Sequence, residues 1–247
     1  MPEWFKDWFD QDYAAIYAGR GPEEAETAVA MALARAPGLA SGPVLDLACG
    51  SGRHLAALRR TNDLAFGLDL SRDLLAMAPA ELRPWLLRGD MRRLPVRGGS
   101  LAGICMWFTP FGYFSDEQNR ALLQDLRRLL RPGGVLLLDY LNAFQVRANL
   151  VKEDEAMHHG LRVVSRRSLE GGRIIKRMDL TRIDTGATRR VTESVRLYDP
   201  GELVAMAREC GLELVSEAGD YHGGAFEAAS SPRWIGFLGR NGVDWGQ

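Results

Sequence analysis

Residues 46 to 52, Asp-Leu-Ala-Cys-Gly-Ser-Gly, carry a carboxylate and two glycines into the turn after a short apolar run, Val44 to Leu47. Gly50 and Gly52 allow backbone conformations and a close ligand approach that a Cβ would block. A helix opening near Gly52 would aim its free N–H groups and positive dipole end at a bound ligand. A dinucleotide fingerprint wants Gly-x-Gly-x-x-Gly, but Leu55 holds the third position, which argues against a nicotinamide oxidoreductase. Asp69, 17 residues after Gly52, can accept both hydroxyls of a ribose in charge-assisted hydrogen bonds. Asp90 can accept from an adenine amino group while the Met91 N–H donates to a ring nitrogen. The run Trp107-Phe-Thr-Pro-Phe-Gly-Tyr-Phe114 is aromatic enough to wall an adenine and a second small reactant. Taken singly, these are a helix-entry residue, a turn aspartate and a piece of core. Their common rhythm points to a nucleoside site.

These residues need elements to hold them. Val44 to Ala48 reads as a first strand and Gly52 to Arg60 as the helix after it. Leu64 to Asp69 is a second strand, with Ser71 as N-cap of the next helix. Trp85 to Leu87 is a short third strand and Leu101 to Trp107 a fourth. Ser115 and Gln118 form a capping box ahead of a leucine stripe at helical spacing, Leu122 to Leu130. Arg131-Pro-Gly-Gly134 ends that helix before a buried fifth strand, Val135 to Asp139. Alternating strands and helices predict a Rossmann-like, doubly wound α/β sheet with helices on both faces. Upstream, Glu23 to Ala36 is an alanine-rich helix stopped by Pro37-Gly38.

The rhythm changes after Tyr140. Turn signals at Glu170-Gly-Gly172 and Asp184-Thr-Gly186 divide residues 161 to 198 into about three antiparallel strands. Asp199-Pro-Gly-Glu202 opens a further helix that Gly211 terminates, and Leu212 to Val215 and Trp234 to Leu238 are the last two strands. The organisation expected is an N-terminal helical cap over 1–40, a core over 41–140 and 199–247, and an antiparallel insertion over 141–198.

Composition narrows the function. The 247 residues carry 31 basic and 32 acidic side chains, no global polyanion-binding signature. Cysteines at 49, 105 and 210 have no metal spacing, and packed reduced thiols indicate a cytoplasmic setting. The N-terminus lacks the apolar core of a signal peptide, and no apolar run reaches the roughly 20 residues that span a bilayer. The insertion is locally basic, with ten Lys or Arg against four Asp or Glu between Leu161 and Tyr198. A solvated polar face is the default explanation; a lid over an acidic acceptor and a homodimer contact are the alternatives. Trp4, Phe5, Trp8 and Phe9 read as a packed amphipathic segment. His54 reads as packing or backbone bonding, and His158, His159 and His222 as surface residues.

Across residues 41 to 139 the order of elements resembles the class I S-adenosylmethionine-dependent methyltransferases. Leu-Asp-Leu-Ala-Cys-Gly-Ser-Gly-Arg-His54, Gly-Leu-Asp-Leu-Ser71, Gly-Asp-Met-Arg92 and Leu-Arg-Pro-Gly-Gly134 carry the likeness. Within that family the chain is most similar to bacterial small-molecule N-methyltransferases, including amino-sugar N,N-dimethyltransferase-like proteins, in which a Phe-Gly-Tyr-Phe-type segment follows the fourth strand. The resemblance implies a seven-stranded sheet with its last strand antiparallel and an antiparallel insertion after the fifth strand. It implies S-adenosyl-L-methionine as methyl donor, S-adenosyl-L-homocysteine as product and no metal. Asp46, Ala48, Gly50, Gly52, Asp69, Leu70, Asp90, Met91 and Trp107 fall on the family's cofactor positions. Asp12, Tyr13 and Tyr17 match an Asp-Tyr-x-x-x-Tyr stretch that closes over the cofactor. Tyr113 and Tyr13 are the expected acceptor-side residues. Two positions depart: Ala48 stands where glycine is usual, and Pro110 where a small polar residue is common, removing an N–H donor.

The expected function is therefore in-line methyl transfer to a small-molecule acceptor, an amine nitrogen by resemblance. The alternatives are methylation of RNA or another macromolecule, encouraged by the basic insertion, and donor binding without catalysis. Neutral overall charge and the lack of an Asn/Asp-Pro-Pro-aromatic motif, a Pro-Cys nucleophile signature or an RNA-binding module argue against nucleic acid.

Overall fold

The computed structural model describes residues 3–240; positions 241–247 of the expected core segment lie outside them. The chain begins with three helices, α1 (Phe5–Trp8), α2 (Gln11–Ile16) and α3 (Pro22–Arg35). Alternation then follows: β1 (Val44–Leu47), α4 (Arg53–Arg59), β2 (Ala65–Asp69), α5 (Arg72–Ala76), β3 (Leu86–Arg88), β4 (Leu101–Met106), α6 (Asp116–Leu129), β5 (Leu130–Leu141) and α7 (Ala143–Ala148). Four antiparallel strands come next, β6 (Glu153–His158), β7 (Leu161–Glu170), β8 (Arg173–Arg182) and β9 (Thr188–Arg196). The described residues end with α8 (Pro200–Glu209), β10 (Leu212–Ala218) and β11 (Arg233–Arg240).

The seven-stranded sheet has the order β10-β11-β5-β4-β1-β2-β3, with β11 antiparallel to both neighbours. Strand order reverses where β4 and β2 flank β1, and such a switch point leaves a crevice at the carboxyl ends of the strands. Alternation along β1 explains the layering. Leu45 and Leu47 pack with Leu122, Leu123 and Leu126 of α6, while Val44 packs with Ala28, Val29 and Leu55 of α3 and α4. Ser115 and Asp199 each cap their helix through a capping box.

Two expectations need correction. The insertion holds four strands rather than three: β6 pairs antiparallel with β7. Its sequence, Glu-Asp-Glu-Ala-Met-His, lacks the β-branched residues that mark strands, and cross-strand pairs of Arg162 with Glu155 and Arg167 with Asp154 attach it. The Arg-Pro-Gly-Gly stretch does not separate helix from strand. It lies inside β5 as an irregularity, where Leu101 faces Leu130 but Gly103 already faces Val135. The second sheet lays Leu161, Val163, Met178, Leu180 and Val191 against Trp8 and Ile16, so the N-terminal helices are held between the two sheets. No helix among the described residues is long and apolar enough to cross a membrane.

Candidate active site

The turn after β1 is built from left-handed backbone. Ala48, Gly50 and Gly52 have φ of +61°, +58° and +82°. The Ala48 and Cys49 N–H groups both donate to the Leu68 carbonyl, at 2.7 and 3.2 Å, which folds the turn onto β2. Asp69 completes the join: its Oδ2 accepts from Gly50 N at 2.8 Å and its Oδ1 from Ser71 N at 2.7 Å. Burial raises its pKa, and the Ser71 and Gly50 N–H groups oppose that rise. A carboxylate offers about four acceptor positions, so Asp69 keeps capacity for a ligand's hydroxyls.

Asp90, past β3, is already engaged. Arg92 Nε lies 3.0 and 3.1 Å from its two oxygens, the Arg92 N–H donates at 2.9 Å, and the same guanidinium pairs with Glu3. The Arg92 side chain holds the Asp90 carboxyl below the usual carboxylate range.

The N-terminal helices roof the crevice. Tyr113 packs among Trp4, Phe5 and Phe9, with ring centroids 4.8, 6.1 and 6.1 Å away. Ser71 Oγ donates to the Phe9 carbonyl, tying the roof to the second turn. Tyr13 lies 4.7 Å from Tyr17 and its hydroxyl accepts from Arg20 at 3.2 Å. The Arg20 guanidinium stacks 4.1 Å from the Tyr17 ring centroid and 3.8 Å from that of Phe108. Asp12 faces the other way and pairs with Arg182 and Arg189 of the second sheet.

At the end of β4, Phe108 and Thr109 both have φ of +64°, a strained conformation for residues with a Cβ. Asp139, fully buried on β5, holds it by accepting from Phe108 N at 2.7 Å and Tyr221 Oη at 2.6 Å while pairing with Arg233. Trp107 stacks on His54, centroids 4.7 Å apart at 10°. Burial pushes the His54 pKa well down, so this ring is a neutral wall and not an acid.

These features enclose one cavity of about 290 Å³. That is near the lower end of the roughly 300–1,000 Å³ usual for ligand sites. Ten of the twelve expected residues line it: Tyr13, Tyr17, Ala48, Gly50, Asp69, Leu70, Asp90, Met91, Trp107 and Tyr113. Asp46 and Gly52 lie behind it. Gly52 caps α4, and Asp46 is buried with Oδ2 unpartnered among the described residues. Burial, with Asp69 adding to it, pushes the Asp46 pKa up to about 7, although a Leu55 N–H bond works against the rise. Pro110 lines the wall too, while His158, His159 and His222 do not. Sequence reasoning missed Arg20, held Phe108 only as part of the aromatic run 107–114, and noticed Phe5 and Phe9 only as packing. Arg20 precedes the Gly21-Pro22 start of α3, a local clue; nothing local marks the left-handed conformation of Phe108. No three His, Cys, Asp or Glu among the described residues are grouped to hold a metal ion.

Residues 44–134 match the family described as methyltransferase domain. Over 130 residues the chain is 32% identical to the dTDP-3-amino-3,4,6-trideoxy-alpha-D-glucopyranose N,N-dimethyltransferase of Streptomyces venezuelae, covering 51% of this chain and 54% of that one. The chain thus spans about half the length of that relative. Identity is 27% over 216 residues to the dTDP-4-amino-2,3,4,6-tetradeoxy-D-glucose N,N-dimethyltransferase of Saccharopolyspora spinosa, covering 81% and 83%. Among solved structures, an S-adenosylmethionine-dependent methyltransferase from Clostridium acetobutylicum ATCC 824 shares the fold, with a TM-score of 0.77, 15% identity and coverage of 93% and 96%.

Proposed function

We propose that the chain is a class I S-adenosylmethionine-dependent methyltransferase that methylates an amine nitrogen of a small-molecule acceptor; the matched methyltransferase domain, the curated relatives and the shared fold support this. One observation carries the reading: a left-handed turn, the Asp69 carboxylate and the Arg20 cation converge on a single cavity at the switch point of the sheet. The names of the two curated relatives, both N,N-dimethyltransferases of amino sugars, support the amine class.

In this reading Asp69 accepts the donor's ribose hydroxyls, Asp90 and Met91 meet the adenine, and Leu70 and Phe9 wall it. Arg20 faces the donor's carboxylate from above the Gly50 turn. S-adenosylmethionine, when bound, supplies a methyl group on a sulfonium that is already an activated leaving group, so the proposed reaction calls for no metal. Tyr13 and Tyr113 orient the acceptor. Burial raises both phenols above their usual range, so they act as neutral hydrogen-bonding groups. Positioning is the main task, because an amine held about 3–3.5 Å from the methyl carbon reacts without further activation.

The macromolecular alternative loses its support at the insertion, whose arginines are largely committed. Arg162, Arg166, Arg177 and Arg190 pair with carboxylates of their own sheet, and Arg182 and Arg189 with Asp12 and Asp10. We assign the insertion to buttressing the N-terminal roof in preference to a dimer contact, since Trp8 and Ile16 already cover its apolar face and none of its residues lines the cavity. Three free, buried cysteines accord with a cytoplasmic setting.

The test is thermal unfolding with S-adenosylmethionine, S-adenosylhomocysteine, NAD and NADP in parallel. Ligand at 100 times its dissociation constant adds about 2.7 kcal/mol, so the first two should raise Tm clearly. A response to NAD or NADP alone, or to none of the four, overturns the reading.

A further inference from the structure

One polar chain passes from the cavity wall into the second sheet. Tyr17 lines the cavity. Its hydroxyl donates to Glu193 Oε1 at 3.1 Å and accepts from Lys176 Nζ at 3.0 Å. Lys176 and Glu193 stand directly opposite each other on β8 and β9. Trp8 Nε1 closes the group, donating to Glu193 Oε1 at 2.6 Å. Around these atoms the interface is apolar, built from Trp8, Ile16, Met178 and Val191. Lys176 and Glu193 do not pair directly; each meets the Tyr17 hydroxyl, and holding two charged groups at such a layer carries a desolvation cost that hydrophobic side chains would not. Glu193 satisfies the buried Trp8 N–H, but that leaves the Lys176 charge unexplained, and both side chains reach the cavity through the Tyr17 hydroxyl.

Methylating a primary or secondary amine leaves a proton to remove. The acceptor nitrogen forms the new N–C bond with its lone pair as the C–S bond breaks, and the C–S pair stays on sulfur. The product nitrogen is then an ammonium, or the substrate must shed a proton before it can attack. We propose that Tyr17, backed by Glu193 and Lys176, is the exit route for that proton. The nitrogen gives its proton to Tyr17 Oη as the phenol's own proton passes to Glu193 Oε1. A neutral amine and a neutral glutamic acid result, and the half-buried Glu193 returns its proton to water. The hydroxyl oxygen has the capacity required, one lone pair for Lys176 and one for the amine. Burial raises the Tyr17 pKa, so the phenol passes a proton through and does not store charge. Tyr17 is the group that touches the amine, and Glu193 and Lys176 act through it.

The inference rests on the amine-methyltransferase reading, and its test separates the two. Sinefungin carries an amine on carbon where the donor carries its methyl on sulfur, so it presents N–H groups at the transfer locus; S-adenosylhomocysteine presents nothing there. Calorimetry compares both ligands on the wild-type chain, Glu193→Gln and Tyr17→Phe, with unfolding curves to confirm the fold. The amide oxygen introduced by Glu193→Gln can still accept from Trp8 and Tyr17, so the roof stays in place. Glu193→Gln should weaken sinefungin about 10- to 100-fold, the loss of a charge-assisted interaction, and leave S-adenosylhomocysteine within about twofold; Tyr17→Phe should act in the same direction. Unchanged sinefungin affinity, or a parallel loss for both ligands, overturns the proton route and leaves the donor site standing. Failure of the wild-type chain to bind either ligand overturns the donor site and the route with it.

Discussion

The floor and the roof of the cavity are made by different means. The floor is main chain: the turn after β1, the Gly50 N–H, and one carboxylate, Asp69, that locks two crossovers together. The roof and far wall are side chains brought from distant parts of the sequence, Tyr13, Tyr17 and Arg20 from the N-terminus, with Tyr113 and Phe108 beyond β4. A backbone floor can hold a ligand common to a whole family without constraining the rest of the chain. A side-chain wall can change with each acceptor. In the proposed reading the floor holds the donor, while the side-chain wall serves both reactants, the donor through Arg20 and the acceptor through Tyr13 and Tyr113.

The sharpest way to break that contrast is Arg173. Its buried guanidinium donates to the carbonyls of Gly112, Tyr113 and Phe114 and to Ser194, pinning the Tyr113 wall to β8. Arg173→Met should cost on the order of 3 kcal/mol or more, as unpaired buried carbonyls cost about 1–3 kcal/mol each. Urea unfolding measures the loss, and S-adenosylhomocysteine affinity should fall far less than stability. A collapse of donor binding in still-folded protein would show that floor and wall are not separable.

Asp69→Ala addresses the floor. Donor affinity should drop by ~1.5–3 kcal/mol, since charge-assisted bonds to the ribose are lost. Stability should fall as well, because Gly50 N and Ser71 N lose their acceptor. Unchanged affinity by calorimetry in the folded variant would sink the ribose assignment.

Asp46 tests the floor through pH. In the folded chain its pKa is raised to about 7, against an ordinary value of 3.8. Between those values the unfolded chain has released a proton that the folded chain retains, so this group's contribution to stability declines as pH rises from about 4 to 7. Asp46→Asn should remove that decline. Its stability relative to wild type should be higher at pH 7.5 than at pH 4.5 in paired urea curves, and an equal difference at both would refute the assignment.

The smallest effect is expected at Ala48. Left-handed φ costs a non-glycine residue roughly 1–2 kcal/mol, while glycine adds about 0.5–1 kcal/mol of unfolded-state entropy. Ala48→Gly should therefore stabilise by up to about 1 kcal/mol, read as a small rise in urea midpoint. A net loss would mean that the Ala48 methyl packs more than it strains.

Legibility in the sequence follows the same division. The sheet was readable because buried parallel strands and an amphipathic α6 leave local patterns, and the floor was readable because its glycines and Asp69 fall at fixed distances from strand ends. The alanine at position 48 departs from the usual glycine, and its φ of +61° gives the physical reason for that preference. The wall was less readable. The Phe108 conformation depends on Asp139, 31 residues on, and Arg233 reaches the same carboxylate from β11. The Glu3–Arg92 pair that occupies one side of Asp90 joins positions 89 apart. β6 was missed because Glu-Asp-Glu-Ala-Met-His has no β-branched residue, so nothing in its own composition marks the strand that pairs with β7.

The ties between Asp10 and Arg189 and between Asp12 and Arg182 have a consequence for the order of assembly. Those partners lie 179 and 170 positions apart, so α1 and α2 leave the ribosome long before their anchors exist. The sheet that carries the floor draws on nearer partners, β1 with β2 and β4, and can condense first. Phe9 can meet Ser71 and Tyr113 early, but Trp8 and Ile16 have no apolar face to cover until β8 and β9 are made. Late docking of Trp8 and Ile16 follows from how far apart the two halves of that clasp were encoded.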